Sequence, residues 1–294
     1  PSMSNSAAPV VETTRQVNAD APWLGLLPFT EATQRYFFGR DAELREMYLR
    51  VRDTPLTVLF GQSGLGKTSL LGAGLLPKLR VEGYAPVLLR LALDKEAPPL
   101  LAQVRAALAE ACASKEVSAD ALLARWGDAG PWEIVHRLDL CPQPLAARPP
   151  VLILDQFEEV FTLGREHRNK EEMLEFGRAL ADVAENRVPE QVAAQLRDNP
   201  ERADRLDFSP STLRLVLTLR QDYLSQLEEW KLFFPSLMRN RMALHLLRGP
   251  QALEAVVRPA RLDGRNLVAD EVAEEIVRRI AGAPANTPIE DIEA

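Results

Sequence analysis

The sequence predicts an α/β protein: a parallel β-sheet covered by helices on both faces, in three layers. Three observations carry that reading. Apolar runs of strand length recur at "PLTVLF", "APVLLRLAL", "PVLILDQF" and "LRLVLTLRQDY". Segments of helical period separate them, which is what crossovers between parallel strands need. An apolar share of 46% over 294 residues is enough for a large core.

In chain order, "DAELREMYLRVRD" (41 to 53) has apolar residues at helical spacing, and "PLTVLF" follows as a short buried strand bounded by Pro55 and Gly61. A helix opens at about Lys67. Residues 85–93 form a second strand and residues 98–140 several helices. Residues 150–157 form a strand after a pair of prolines, and a long amphipathic helix covers 168–186. The charged, proline-bearing stretch "RDNPERADRLDFSPS" reads as a solvated loop before a strand over 211–223. A last strand candidate, "MALHLL" (242 to 247), gives way at Gly249-Pro250 to the helical text "QALEAVVRPA" and "DEVAEEIVRRIAG".

A glycine cluster interrupts the apolar text after the first strand. Gly61-Gln62-Ser63-Gly64-Leu65-Gly66-Lys67-Thr68 fits G-x-x-x-x-G-K-[ST] between a predicted strand and a predicted helix, the setting a phosphate-binding loop requires. Without Cβ atoms, Gly61, Gly64 and Gly66 let successive N–H groups turn inward toward an anion. Lys67 would reach the β- and γ-phosphates and Thr68 would ligate Mg²⁺. The phosphate side of the cofactor-binding set is this octet with the adjoining Ser69. The plain alternative is a glycine-rich turn with a helix cap.

Such a loop works with an acid at the end of another parallel strand. "VLILDQFEEVF" supplies Asp155 as the Mg²⁺-associated acid, with Glu158 and Glu159 as candidates to polarise the attacking water. A solvated helix start accounts for Glu159 equally well. The strand "LRLVLTLRQDY" ends in Thr218, Arg220 and Asp222, where ligands of open α/β sheets sit. Arg220 is placed to sense the γ-phosphate, or else to pair with Asp222.

With "PWLGLLPFTEATQRYFFGRDAEL" upstream, the chain resembles the novel STAND NTPases, signal-transduction P-loop ATPases related to AAA+ proteins. The resemblance runs from about Pro22 to Ala260. It rests on that lead-in with "FFGRDAE", on the phosphate loop followed by "LLGAGLLPKLR", on "LDQFEEVF" and on "LTLRQDY". It implies an AAA+/STAND-like sheet with Phe38, Gly39 and Arg40 on the adenine side of the pocket and Glu43 in the same motif. An aromatic pair packed under a helix start is the plainer account of Phe38. The resemblance also implies roles for Asp155 at the metal, Glu158 or Glu159 at the water, and Arg220 as a sensor. Family members continue into a helical lid and then effector or repeat domains. The expected organisation is therefore a tail with a tag remnant over 1–21, an NTPase core over 22–249, and the beginning of a helical lid over 250–294.

Composition narrows the remaining classes. A net charge of −7 gives no global basic field for nucleic acid or anionic lipid, which argues against an AAA+-like motor on nucleic acid. Two cysteines, Cys112 and Cys141, do not make a disulfide scaffold, and no segment has the length of a membrane span, so a cytoplasmic protein is expected. His136, His167 and His245 stand apart from one another, without the spacing of a zinc site or triad. Trp23, Trp126, Trp132 and Trp230 are scattered, without the basic interleaving that stacking on single strands needs, and read mostly as core.

The expected function is a slowly hydrolysing switch that binds ATP or ADP with Mg²⁺, its nucleotide state setting conformation and an ATP-dependent homo-oligomer. Arg239 or Arg241 would act in trans. The alternative is a scaffold that holds nucleotide with negligible turnover. The partners expected are an adenine nucleotide and domains outside this chain, with no nucleic acid and no membrane.

Overall fold

A computed structural model describes residues 17–140 and 148–293, so Cys141 and the start of the expected tail lie outside the described residues. Five strands make one parallel sheet: β1 (Leu56–Gly61), β2 (Ala85–Leu89), β3 (Pro150–Leu154), β4 (Arg214–Arg220) and β5 (Arg241–Ala243). Their spatial order is β2-β3-β4-β1-β5. β4 thus lies between β1 and β3, pairing Gly61 with Arg220 on one side and Leu154 with Leu217 on the other. The carboxyl ends of β1, β4 and β3 therefore stand in a row.

Strand alternation divides the core into two layers, as a sheet buried on both faces requires. Leu152, Leu154, Leu215, Leu217 and Leu219 face one layer, with Val104, Leu108, Phe157, Phe176 and Leu180. Val151, Ile153, Val216 and Leu59 face the other, against Met47 and Val51 of the helix Asp41–Asp53 and Leu70, Leu75 and Leu79 after the phosphate loop. By the same alternation, Thr218 and the position after β3 turn toward the second layer. That is the layer in which the helix begun at Lys67 lies.

Helices Leu100–Cys112, Ala119–Trp126 and Pro131–His136 fill the expected helical region, and Lys170–Ala184 the long amphipathic one. Strand lengths depart from expectation where partners run out. β2 stops at Leu89, whose carbonyl accepts the Asp155 N–H as a last rung before the chain after β3 turns away. β3 stops at Leu154, before a left-handed Gln156 and a 3₁₀ turn over Phe157–Phe161. β5 spans Arg241–Ala243 rather than 242–247, since β1 offers it only Val58 to Phe60. The charged stretch expected as a loop holds a 3₁₀ helix, Pro200–Arg205, opened by its proline, and Glu190–Asp198 before it is helical.

The helices Gly249–Ala260 and Asp270–Ile280 carry a small cluster of their own, with Ala252, Val277, Ile289 and Ile292 buried. Within the expected tail, Asn18 bridges to Ala21 and Asp20 pairs with Arg265. Trp126, Trp132 and Trp230 pack inside and Trp23 is exposed. His136 is buried with its ring stacked on Trp132. Among the described residues no helix is long and apolar enough to cross a membrane.

Candidate active site

The glycine loop joins β1 to the helix starting at Lys67. Gly64 and Gly66 hold φ of +84° and +85°, and a Cβ at either would meet nothing within 4 Å, so glycine is needed there for conformation and not for room. Gly61 is needed for room: a Cβ would lie 2.6 Å from the Leu244 carbonyl oxygen. Gln62, Ser63 and Gly64 are exposed at the crest, while Leu65 and Gly66 are half-buried. Lys67 Nζ donates to the carbonyls of Gly61 at 2.9 Å and Gln62 at 2.8 Å. Burial pulls its ammonium below the ordinary lysine range, opposed by Glu158 and Asp155. The hydroxyl of Ser69, one residue beyond the motif, accepts the Phe29 N–H at 3.1 Å and so pins the lead-in segment. Past it the helix widens into π turns over Leu70–Leu75, where Gly72 leaves room for the Phe29 carbonyl.

Across the loop, Asp155 is buried at the end of β3. Thr68 Oγ1 donates to its Oδ2 at 2.8 Å, and Thr218 Oγ1 on β4 donates to its Oδ1. The loop hydroxyl and the strand acid expected to share a metal are therefore in contact. A hydroxyl and a carboxylate are hard oxygen donors, and two of them suit Mg²⁺, which keeps several waters and takes few protein ligands. The residues present fit that ion.

The two glutamates after Asp155 differ in surroundings. Glu159 pairs with Arg90 at the end of β2. Glu158 is half-buried and its Oε2 accepts the Arg220 N–H at 3.3 Å. Burial pushes its carboxyl above the ordinary range, against the pull of its own and the Arg220 backbone N–H and the charge of Lys67. Arg220 itself is exposed, its guanidinium donating to Asp222 at 2.6 Å and lying over the Tyr223 ring. Arg241 pairs with Glu228 at 3.3 Å.

The "FFGR" segment meets both the loop and the C-terminal helices. Arg40 is buried and donates to the Leu65 carbonyl at 3.1 Å and to Glu43 at 2.7 Å. Glu43 also accepts from Gln251 Nε2 at 3.1 Å, and Gln251 Oε1 accepts the Arg248 N–H at 3.0 Å. Gly39 has φ +86°, and a Cβ there would overlap the Gln251 carbonyl oxygen. The Phe38 ring lies 4.4 Å beneath the Arg258 guanidinium. A separate cleft of about 670 Å³, lined among others by Trp132, Arg178, Asp182 and Phe233, contains none of these residues.

Sequence reading did not mark Arg90 or Gln251, and it named Thr218 without a role. Arg90 had no clear signal, since apolar Leu91, Ala92 and Leu93 follow it and hide the strand end at Leu89. Gln251 had none, because its contact is to a residue 208 positions away.

A family model for novel STAND NTPase 1 matches residues 22–290, most of the chain, which therefore belongs to that family of P-loop NTPases. No curated protein matches. The Walker-type ATPase PABY2304 of Pyrococcus abyssi is similar at 14% identity and TM-score 0.49, covering 86% of this chain and 65% of its own. The Escherichia coli MS115-1 HORMA:CdnC:Trip13 complex is similar at 15% and 0.44, covering 89% and 81%. The Aeropyrum pernix ORC2 protein, in ADPNP–ADP complexes, is similar at 15% and 0.42, covering 83% and 63%. The chain thus spans less than two thirds of the first and third of these.

Proposed function

We propose that this novel STAND NTPase binds ATP or ADP with Mg²⁺ at the carboxyl ends of β1, β3 and β4 and hydrolyses ATP slowly. The observation that carries the reading is the 2.8 Å bond from Thr68 to Asp155, which joins the phosphate loop to the strand acid. Bound there, Mg²⁺ would supply charge neutralisation on the phosphate oxygens. Lys67 has two of its three donors on loop carbonyls, leaving one to turn toward a phosphate. Glu158 is the better proton acceptor of the two glutamates, because Glu159 is engaged by Arg90 and burial holds the Glu158 carboxyl above its ordinary range. Phe38, Gly39 and Arg40 would border the adenine side.

The biological reading is a cytoplasmic switch in signalling or defence. Nucleotide state would set how the C-terminal helices, read as a lid, sit on the core and whether copies assemble, with effector or sensor domains outside this chain. Nucleotide present at about 1,000 times its Kd stabilises the competent state by about 4 kcal/mol, enough to hold such a lid. A scaffold with negligible turnover is the second reading. It is favoured by Arg220, whose guanidinium is turned onto Asp222.

Calorimetry with Mg-ATP and Mg-ADP tests binding, and unchanged titrations for Lys67→Ala would defeat the proposal. Phosphate release by wild type, Glu158→Gln and Glu159→Gln tests turnover. A loss confined to Glu158→Gln supports the switch, and equal background rates in all three leave the scaffold.

A further inference from the structure

The turn after β3 is stitched to β4 at two positions, Thr218 and Arg220. The Gln156 N–H donates to Thr218 Oγ1 at 3.1 Å, and the Arg220 N–H donates to Glu158 Oε2 at 3.3 Å. Thr218 is fully buried, and its hydroxyl also meets Asp155 Oδ1. The direction of these bonds is determined. A backbone N–H can only donate, so the Thr218 oxygen accepts from Gln156 and its single proton goes to the Asp155 carboxylate. Asp155 is then held at Oδ1 from β4 and at Oδ2 from Thr68. Gln156 sits at φ +55° and ψ +43°, a left-handed conformation that a side-chain-bearing residue keeps only when its surroundings enforce it.

We infer that Thr218 is a positioning residue: its one hydroxyl fixes the orientation in which Asp155 faces the metal and holds the left-handed turn that delivers Glu158. This rests on the nucleotide-and-Mg²⁺ reading of the same site. Thr218 touches neither phosphate loop nor nucleotide in this role; it acts through Asp155 and Gln156.

The test measures ADP affinity of the whole chain by calorimetry, in EDTA and across a Mg²⁺ series, for wild type, Thr218→Val, Thr218→Ala and Thr218→Ser. Both hydroxyl-less variants should raise the Mg²⁺ concentration that half-restores tight binding by about 10-fold or more, the usual range for loss of a residue orienting a metal ligand. Thr218→Ser should retain the wild-type midpoint, and metal-free ADP affinity should be unchanged in all four. A merely structural role would instead follow packing, weakening Thr218→Ala in EDTA and sparing Thr218→Val. That pattern, or an unmoved midpoint in Thr218→Val, overturns the inference alone. If Thr218→Val does not fold, Thr218→Ala against Thr218→Ser decides by the same midpoint. Wild type that binds no ADP, or binds it without regard to Mg²⁺, overturns the underlying site reading as well.

Discussion

The strand-end cluster and the seam with the C-terminal helices are both polar, and they are built on opposite terms. At the strand ends, Asp155 is held by two hydroxyls inside a sheet whose strands are buried on both faces. At the seam, buried Arg40 and half-buried Glu43 and Gln251 form one relay. Around it lie exposed pairs such as Arg35 with Asp263 and Arg258 with Asp41. Exposed pairs of this kind contribute about 0–1 kcal/mol each and weaken with salt. One region is fixed by its core, and the other is held by contacts that can part. A protein needing a constant metal site and a movable cover would be divided in this way.

The sharpest way to break the contrast is Lys67→Ala, which should weaken Mg-ADP by roughly 10- to 150-fold, the worth of a hydrogen bond to a charged group. Calorimetry reads it, while protease sensitivity of residues 249–293 in the nucleotide-free chain should stay as in wild type. Gly39→Ala should act at the seam instead. A left-handed φ and overlap with the Gln251 carbonyl together should cost roughly 2–3 kcal/mol in denaturant unfolding and expose the C-terminal helices to protease. Gly64→Ala shares the left-handed φ but has open space, so it should cost only about 1 kcal/mol. Equal costs for the two glycines would mean that the close approach to Gln251 does not matter. Gln251→Ala removes a helix cap and the bond to Glu43, and should cost about 1 kcal/mol.

The smallest effect is electrostatic and belongs to the strand ends. Because burial raises the Glu158 carboxyl in the folded protein, its contribution favours folding below the ordinary carboxylate pKa and is lost as pH rises through the raised value. Glu158→Gln should therefore raise the melting temperature of the nucleotide-free chain at pH 8, with the gain fading as pH falls toward the ordinary carboxylate range. A constant difference across that range would exclude titration of Glu158 as its source.

The strand-end site was legible in the sequence because each part is local. Gly61 to Thr68 form one continuous signature, and Asp155 is marked by the apolar run before it. What was not legible is the company these residues keep. The choice between Glu158 and Glu159 turns on Arg90, which arrives from β2, and the polarity of Asp155 turns on Thr218, which arrives from β4. Those neighbours are set by strand order, and apolar periodicity marks strands without ordering them. The seam was less legible still. The resemblance set "FFGR" on the adenine side of a pocket, and what it did not foretell is that Arg40 grips the loop carbonyl of Leu65 and, through Glu43, a glutamine on a distant helix. Strand lengths erred for the same reason: β5 is only as long as its pairing with β1 allows.

The two flanking strands have a further consequence, for association. Among the described residues the outermost strands are β2 and β5. β2 carries Pro86, which has no N–H to offer, and β5 is three residues long. Neither makes a good template for an incoming strand. Copies of this chain that gather on nucleotide would have to meet through helices and loops, and the hydrogen-bond ladder would stop within each molecule.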